Sequence, residues 1–268
     1  MLRSVSLLAI FAAMVLMYSS ARALSAFDQI VVFGDSLSDN GNAGRSSNGP
    51  VWVEYLAERF GLTLKPSRTG GFNFAVGGAR LDPGSGDTSL RAQTTAYLRA
   101  SRPRGRTLHI AYGGGNDLLA AVGDPRAETI ANMAAASVRN IVADLAHQGA
   151  TDILVPNLPG IGITPAVRAQ GSQAVEAADR LAARFNRALD QALSTFADSP
   201  GLRLHRLDVW QLAQRVRADP AAAGFVDITT SCGQRRTCEG HLFWDDVHPT
   251  TQAHRRLAEA AAQVLDVQ

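Results

Sequence analysis

Two cysteines and a single lysine stand in a chain of 268 residues, and no apolar run reaches the roughly 20 residues that cross a bilayer. So few cysteines exclude a small scaffold stapled by a disulfide framework. Neither the 24 glycines nor the 11 prolines keep a period, which excludes a collagen-like fibre. Internal repeats, low-complexity tracts and linkers are absent as well. An excess of one charge is also missing: 26 basic residues face 24 acidic ones, the arginines are scattered, and no basic stripe marks a nucleic-acid surface. What is present is a composition of 46% hydrophobic and 19% charged residues, which can bury a core. The length suits one large α/β domain or two small ones, and without a linker a single domain is expected.

The first residues read as a secretory signal. Arg3 supplies a positive start, Leu7–Met17 is an unbroken apolar run of 11 residues, and Ala21-Arg22-Ala23 offers the small residues a signal peptidase needs. The competing reading is a membrane anchor, for which the run is too short. A signal peptide over residues 1–23 and a domain over 24–268 are therefore expected, with cleavage after Ala26 as the next candidate. The removed segment carries Arg3 and Arg22 and no acid, so the mature chain holds 24 basic and 24 acidic residues. Export, to the periplasm or beyond it, exposes thiols to an oxidising compartment. Cys232 and Cys238, six positions apart, then pair as one local disulfide worth about 2 kcal/mol in the chain-entropy model.

Beyond Ala26 short β-branched apolar runs alternate with helix-period segments. Strands are predicted at Ile30–Phe33, Phe72–Val76, Leu108–Tyr112, Ile153–Pro156 and Leu202–Leu207. Helices are predicted at Val51–Phe60, Leu90–Ala100, Glu128–Gln148, Val167–Phe196 with room for a break, and Thr250–Leu265. In Glu128–Gln148 the expected buried stripe is Ile130, Met133, Ala134, Val138, Ile141, Val142 and Leu145. The alternation implies a five-stranded parallel sheet in a flavodoxin-like, doubly wound three-layer sandwich. In such sheets ligands lie beyond the carboxyl ends of the strands.

The residues with chemistry fall at those ends. Gly34-Asp35-Ser36 follows the first strand, Gly77-Gly78 the second, and Gly113-Gly114-Gly115-Asn116-Asp117 the third. If the first strand lies between the second and third, Gly78 and Asn116 flank Ser36. A serine hydroxyl needs a base to take its proton, and His248 is the candidate. Asp245, three residues earlier, can accept from the imidazole Nδ1–H and leave Nε2 facing Ser36. Pro249 holds the His248 backbone extended. The Ser36 and Gly78 amides and the Asn116 carboxamide form a candidate oxyanion hole, each donor worth roughly 3 kcal/mol in the transition state. Each piece alone has a plainer reading, as a capped turn, a bend or a surface ion pair. Their joint order along the strands is what is specific.

At these residues the chain resembles the GDSL esterases and lipases, also called SGNH hydrolases. The resemblance rests on Val32–Asn42, containing Gly34-Asp35-Ser36-Leu37, on Asn73–Ala79, on Gly114–Asp117 and on Asp245–Pro249. Pro156–Pro165 is similar to a loop of the branch that joins plant enzymes and exported bacterial esterases. The similarity runs from about Ile30 to Thr250. It implies Ser36 as nucleophile, Asp245 and His248 as its partners, and Ser36, Gly78 and Asn116 as the oxyanion hole, with Gly77 a competitor for Gly78. It implies an exported carboxylic ester hydrolase acting on a small-molecule or lipid ester, with no cofactor, no metal, no nucleic-acid partner and no stable membrane span. Acyl transfer, phospholipase or lysophospholipase action and carbohydrate O-deacetylation share the same site, and a non-catalytic binding protein is the remote rival.

Other motifs fit less well. The elbow G-x-S-x-G fails because Ser38 stands where the second glycine belongs. Gly113–Gly115 lacks the third glycine of a dinucleotide fingerprint, and there is no Walker A sequence. A metal site from Asp35, Asp39, Asp245 and His248 leaves Ser36 and Asn116 without a role. Asp82–Ser89 and Ala221–Gly240 are candidate pocket walls.

Overall fold

A computed structural model describes residues 26–81, 84, 86–233 and 237–266. The expected signal peptide lies outside them. The central sheet comprises β1 (Gln29–Gly34), β2 (Thr107–Tyr112), β3 (Asp152–Pro156) and β4 (Arg203–Leu207), all parallel, in the order β1-β2-β3-β4. Ile30 faces Leu108 in register, His109 faces Ile153, and Leu154 faces His205. The runs Ile30–Phe33, Leu108–Tyr112 and Ile153–Val155 are buried throughout, as strands covered on both faces must be. β4 is less completely covered, with Arg203 exposed and Leu204 and Arg206 half-buried beside buried His205 and Leu207, because it is the edge.

The segment expected as a fifth strand, Phe72–Val76, is not a regular one. It runs parallel to the free edge of β1, with Val32 N donating to Phe72 O (3.0 Å), Phe74 N to Val32 O (2.8 Å) and Val76 N to Gly34 O (3.1 Å). Its regularity is lost to side chains that occupy its polar backbone. Asn42 Nδ2 donates to Asn73 O (2.7 Å) and Ala75 O (2.8 Å), while Asn73 Oδ1 takes the Ala75 amide (3.0 Å). The sheet therefore has four regular strands and one irregular edge segment, and β1 still lies between that segment and β2.

The helices are α1 (Trp52–Arg59), α2 (Leu90–Ala100), α3 (Gly115–Ala121), α4 (Ala127–His147), α5 (Pro165–Arg168), α6 (Ser172–Leu193), α7 (Val209–Ala218) and α8 (Thr251–Asp266). α4 packs along α6 and against α2, and α1 packs along α8, giving the two helical layers. The α4 stripe is Ala131, Ala134, Ala135, Val138, Ile141, Val142 and Leu145. Met133, expected inside, is 57% exposed, since the line through Val138 and Leu145 at 3.6 residues per turn passes through 131, 134 and 135. The expected single helix Val167–Phe196 breaks at Gly171, whose φ of +94° no side-chain-bearing residue adopts readily. From there α6 buries Leu181, Phe185, Leu189 and Leu193 against α4.

Four elements were not anticipated: α3, α7, and a separate parallel pair of β5 (Asp227–Ser231) and β6 (His241–Phe243). α7 is capped by Asp208, which accepts from Gln211 N (3.0 Å). The Cys232–Cys238 disulfide, with a Cα separation of 5.2 Å, closes the connection between β5 and β6.

Candidate active site

The chain turns sharply where β1 ends. Asp35 O accepts from Ser38 N and Asp39 N, both at 3.0 Å, and Asp35 Oδ1 takes the Leu37 amide at 3.0 Å. Ser36 thus projects from the sheet's carboxyl rim, and its own N–H has no partner among the described residues. Gly34 is required here: a Cβ would sit 3.0 Å from Tyr112 O. Gln93 of α2 grips this residue, accepting from Gly34 N (2.9 Å) and donating to Gly34 O (2.8 Å). Burial pushes the Asp35 carboxyl up to about 6 against the Leu37 bond, and Asp117 adds to the rise.

The imidazole arrives from the other end of the chain. Asp245 Oδ1 accepts from Val247 N (2.8 Å) and His248 N (2.6 Å), which folds Asp245–His248 into a tight turn. Asp245 Oδ2 lies 2.7 Å from His248 Nδ1, and His248 Nε2 lies 2.9 Å from Ser36 Oγ. With Nδ1–H donating to the carboxylate, Nε2 is left to accept the serine proton. Burial raises the Asp245 pKa, but the bonds from the His248 amide, its imidazole and the Val247 amide outweigh it and hold the carboxyl below its usual value. Trp244 N donates to His248 O (2.8 Å) and closes the turn, while Thr250 Oγ1 ties the start of α8 to His241 O (2.8 Å).

The remaining candidates sit on neighbouring rims. Asn116 lies in the first turn of α3, which Gly114 opens at φ +109°. Its Nδ2 donates one hydrogen to Ala79 O (2.9 Å), leaving the second available. Gly77 packs beside the nucleophile, since a Cβ there would lie 3.9 Å from Ser36 Cβ. Its amide is spent on Asp39 Oδ2 (2.9 Å), whereas the Gly78 amide has no partner among the described residues. Of the two glycines, then, Gly78 keeps a free donor. Glycine is needed at 78 for its φ of +76°, and a Cβ there would meet open space.

Asp39 binds these pieces together. It is fully buried and accepts four backbone amides: Gly41 (2.8 Å) and Asn42 (2.7 Å) on Oδ1, and Ala43 (2.9 Å) and Gly77 (2.9 Å) on Oδ2. Those bonds occupy a carboxylate that the metal reading would have used as a ligand. Asn73 Nδ2 adds bonds to Ser38 O (2.7 Å) and Asn40 Oδ1 (2.8 Å). Sequence reading quoted Asp39 and Asn73 within larger motifs but gave neither this task, and it overlooked Gln93. The spacing of Asp39 to Gly41 and Asn42, an acid just ahead of two turn amides, is the signal that was there to use.

Ser36, Asn116 and His248 open on one apolar cavity of about 180 Å³. Of the two segments expected as walls, Ala221–Gly240 contributes Phe225, and the described residues of Asp82–Ser89 contribute nothing. Trp52 is core, donating from Nε1 to Ser38 Oγ (3.0 Å), and Trp244 does not line the cavity. His109 and His205 are buried in the sheet, and His254 is buried beside the site, where burial lowers its pKa to about 3.

Comparison with known proteins agrees with this architecture. The family described as GDSL-like Lipase/Acylhydrolase matches residues 30–261. The phosphatidylcholine-sterol acyltransferase of Aeromonas hydrophila is 29% identical over 91% of this chain and 91% of its own. A GDSL esterase/lipase of Arabidopsis thaliana is 24% identical over 88% of this chain and 86% of its own. Among solved structures, the acetylxylan esterase Axe2 of Geobacillus stearothermophilus aligns with a TM-score of 0.58 at 17% identity, covering 90% of this chain and 94% of that one. A lipolytic G-D-S-L family protein of Veillonella parvula aligns at 0.54 with 14% identity, covering 90% and 99%.

Proposed function

The chain belongs to the GDSL-like lipase/acylhydrolase family and is a carboxylic ester hydrolase, and from that premise we propose that it works through an acyl-enzyme on Ser36. The observation that carries this reading is the 2.9 Å approach of His248 Nε2 to Ser36 Oγ, across 212 positions of sequence. His248 takes the hydroxyl proton as Ser36 attacks the ester carbonyl, and Asp245 holds the imidazole in the required tautomer and stabilises its charge. Negative charge on the carbonyl oxygen meets the Ser36 and Gly78 amides and the free hydrogen of Asn116 Nδ2. His248 then gives its proton to the leaving alcohol. Water, activated by the same imidazole, releases the carboxylic acid and restores Ser36.

The same reading includes export. The Arg3 start, the Leu7–Met17 run and the Ala21-Arg22-Ala23 site support removal of residues 1–23, leaving one hydrolase domain over 24–268. The Cys232–Cys238 disulfide is in keeping with an oxidising destination. The test is hydrolysis of p-nitrophenyl butyrate by the mature protein beside Ser36→Ala. The variant is expected to lose at least about a thousandfold in kcat while remaining folded. Equal rates would overturn the nucleophile assignment.

Transfer of the acyl group to an alcohol is the second reading, favoured by the name of the Aeromonas relative. Glycerol added to the assay separates the two, since a transferase releases p-nitrophenol without an equivalent of free acid.

A further inference from the structure

We propose that the cavity beside Ser36 is an acyl-chain site for medium-length aliphatic esters, with α7 as the wall that sets the chain length. This rests on Ser36 as the nucleophile and adds a substrate class to that reading.

The cavity has a direction. Besides Asp35–Leu37 at the end of β1, its lining comes from the segments that follow β2, β3 and β4, from β6 with the His248 turn and from α8, and none comes from the Gly77–Arg80 turn. It therefore runs from Ser36 toward the β4 side, away from Gly78. Its walls are Leu212, Ala213 and Val216 of α7, Ile161 and Ile163 of the turn after β3, and Phe225 ahead of β5. At about 180 Å³ it has room for on the order of ten water-sized groups, and hence for a chain of several methylenes. An acetyl group would leave most of that space unfilled.

The lining also decides which half of the ester enters. Sugar or glycerol alcohols carry hydroxyls, and each would lose its hydrogen bonds to water without finding partners among these side chains. An aliphatic acyl chain carries none. The wall is held in place before substrate arrives. Gly160 and Gly162 press against α6, where a Cβ would fall 2.7 Å from Asp179 Oδ1 and 2.5 Å from Val175 O respectively. Asp179 accepts the Gly162 amide (2.8 Å) on one oxygen and Arg217 Nη1 of α7 (3.2 Å) on the other. One carboxylate thus fixes the Ile161–Ile163 turn and α7 to the same helix, and a preformed pocket loses little on ordering.

The experiment is a p-nitrophenyl ester series from acetate through butyrate and octanoate to palmitate, run on the mature wild type, Leu212→Trp, Leu212→Ala and Ser36→Ala. Wild-type kcat/KM is expected to rise about fourfold per added methylene up to near octanoate and to fall at palmitate. Leu212→Trp fills the cavity and should cut octanoate by more than about tenfold while acetate is little changed. Leu212→Ala enlarges it and should move the optimum to a longer chain, so a tryptophan variant that fails to fold does not end the test. A second series of butyrates with lengthening alcohols should stay flat. Rates falling steadily from acetate, or rising with alcohol length in the second series, would overturn the acyl-site assignment while an inert Ser36→Ala left the nucleophile intact. An active Ser36→Ala would instead overturn the reading on which it rests.

Discussion

The two halves of the site are built differently. Around Ser36 the polar groups are buried: Ser38 and Asp39 are inaccessible, Asn73 likewise, and Asn42 and Gln93 nearly so. Asp39, Asn42, Asn73 and Gln93 spend most of their side-chain hydrogen bonds on backbone, and the Ser38 hydroxyl accepts from Trp52, so loops from three parts of the chain are locked to the core. Around His248 the bonds are local. The Asp245 side chain is 43% exposed and that of His248 22%, and their turn is tied mainly to β6 and to the small sheet it forms with β5. The nucleophile and its donors are positioned by the fold, and the base by a short motif that the fold merely carries.

That contrast makes stability and activity separable. The largest effect is expected from His248→Ala, which should lower kcat by at least about 10⁴-fold while shifting the melting temperature little. A large loss of stability would show that the base is also structural. Asp39→Ala should do the reverse in kind: four amides lose their acceptor, and chemical denaturation should report a loss of about 4 kcal/mol or more, or failure to fold. A neutral result would dissolve the contrast.

A pH experiment sharpens it. The Asp35 carboxyl is raised by burial to about 6 from 3.8, so the folded state holds its proton more tightly than the unfolded chain. Its contribution is favourable at low pH and is lost as pH climbs through that window. Asp35→Asn keeps an acceptor for Leu37 and removes the ionisation. It should be more stable than wild type at pH 8 by up to about 3 kcal/mol, with the gain gone near pH 3. An unchanged difference across that range would refute it.

The smallest effect belongs to the base's side. Cys232 N donates to Phe243 O (2.9 Å) and Gly233 N to Trp244 O (3.1 Å), just before Asp245. Joint Cys232→Ser and Cys238→Ser replacement should cost about 2 kcal/mol of stability. Its effect on kcat should be well below that of His248→Ala, and a loss as large would mean that the disulfide, rather than the turn, aims the imidazole.

Much of this was legible in the sequence. Runs such as Val31-Val32-Phe33 and Ile153-Leu154-Val155 announce strands buried on both faces, and the residues placed after them are those at the rim. What escaped has physical causes. Phe72–Val76 has strand composition, yet asparagine side chains take its polar backbone groups. α3 hid behind three consecutive glycines. α7 hid because only Val209 and Val216 of its ten residues are buried, too few to mark a period. β5 is polar and none of its residues is fully buried, so its pairing leaves no hydrophobic pattern. Of these, α3 and α7 line the cavity, which is why the chemistry could be read from the residues and the pocket could not.

The central claim, that the Ser36 hydroxyl is activated by His248, is tested most directly by fluorophosphonate labelling followed by peptide mass mapping. A single adduct on Ser36 in the wild type, lost in folded His248→Ala, is the result expected. A wild-type protein left unlabelled, or one labelled at another residue, would contradict it.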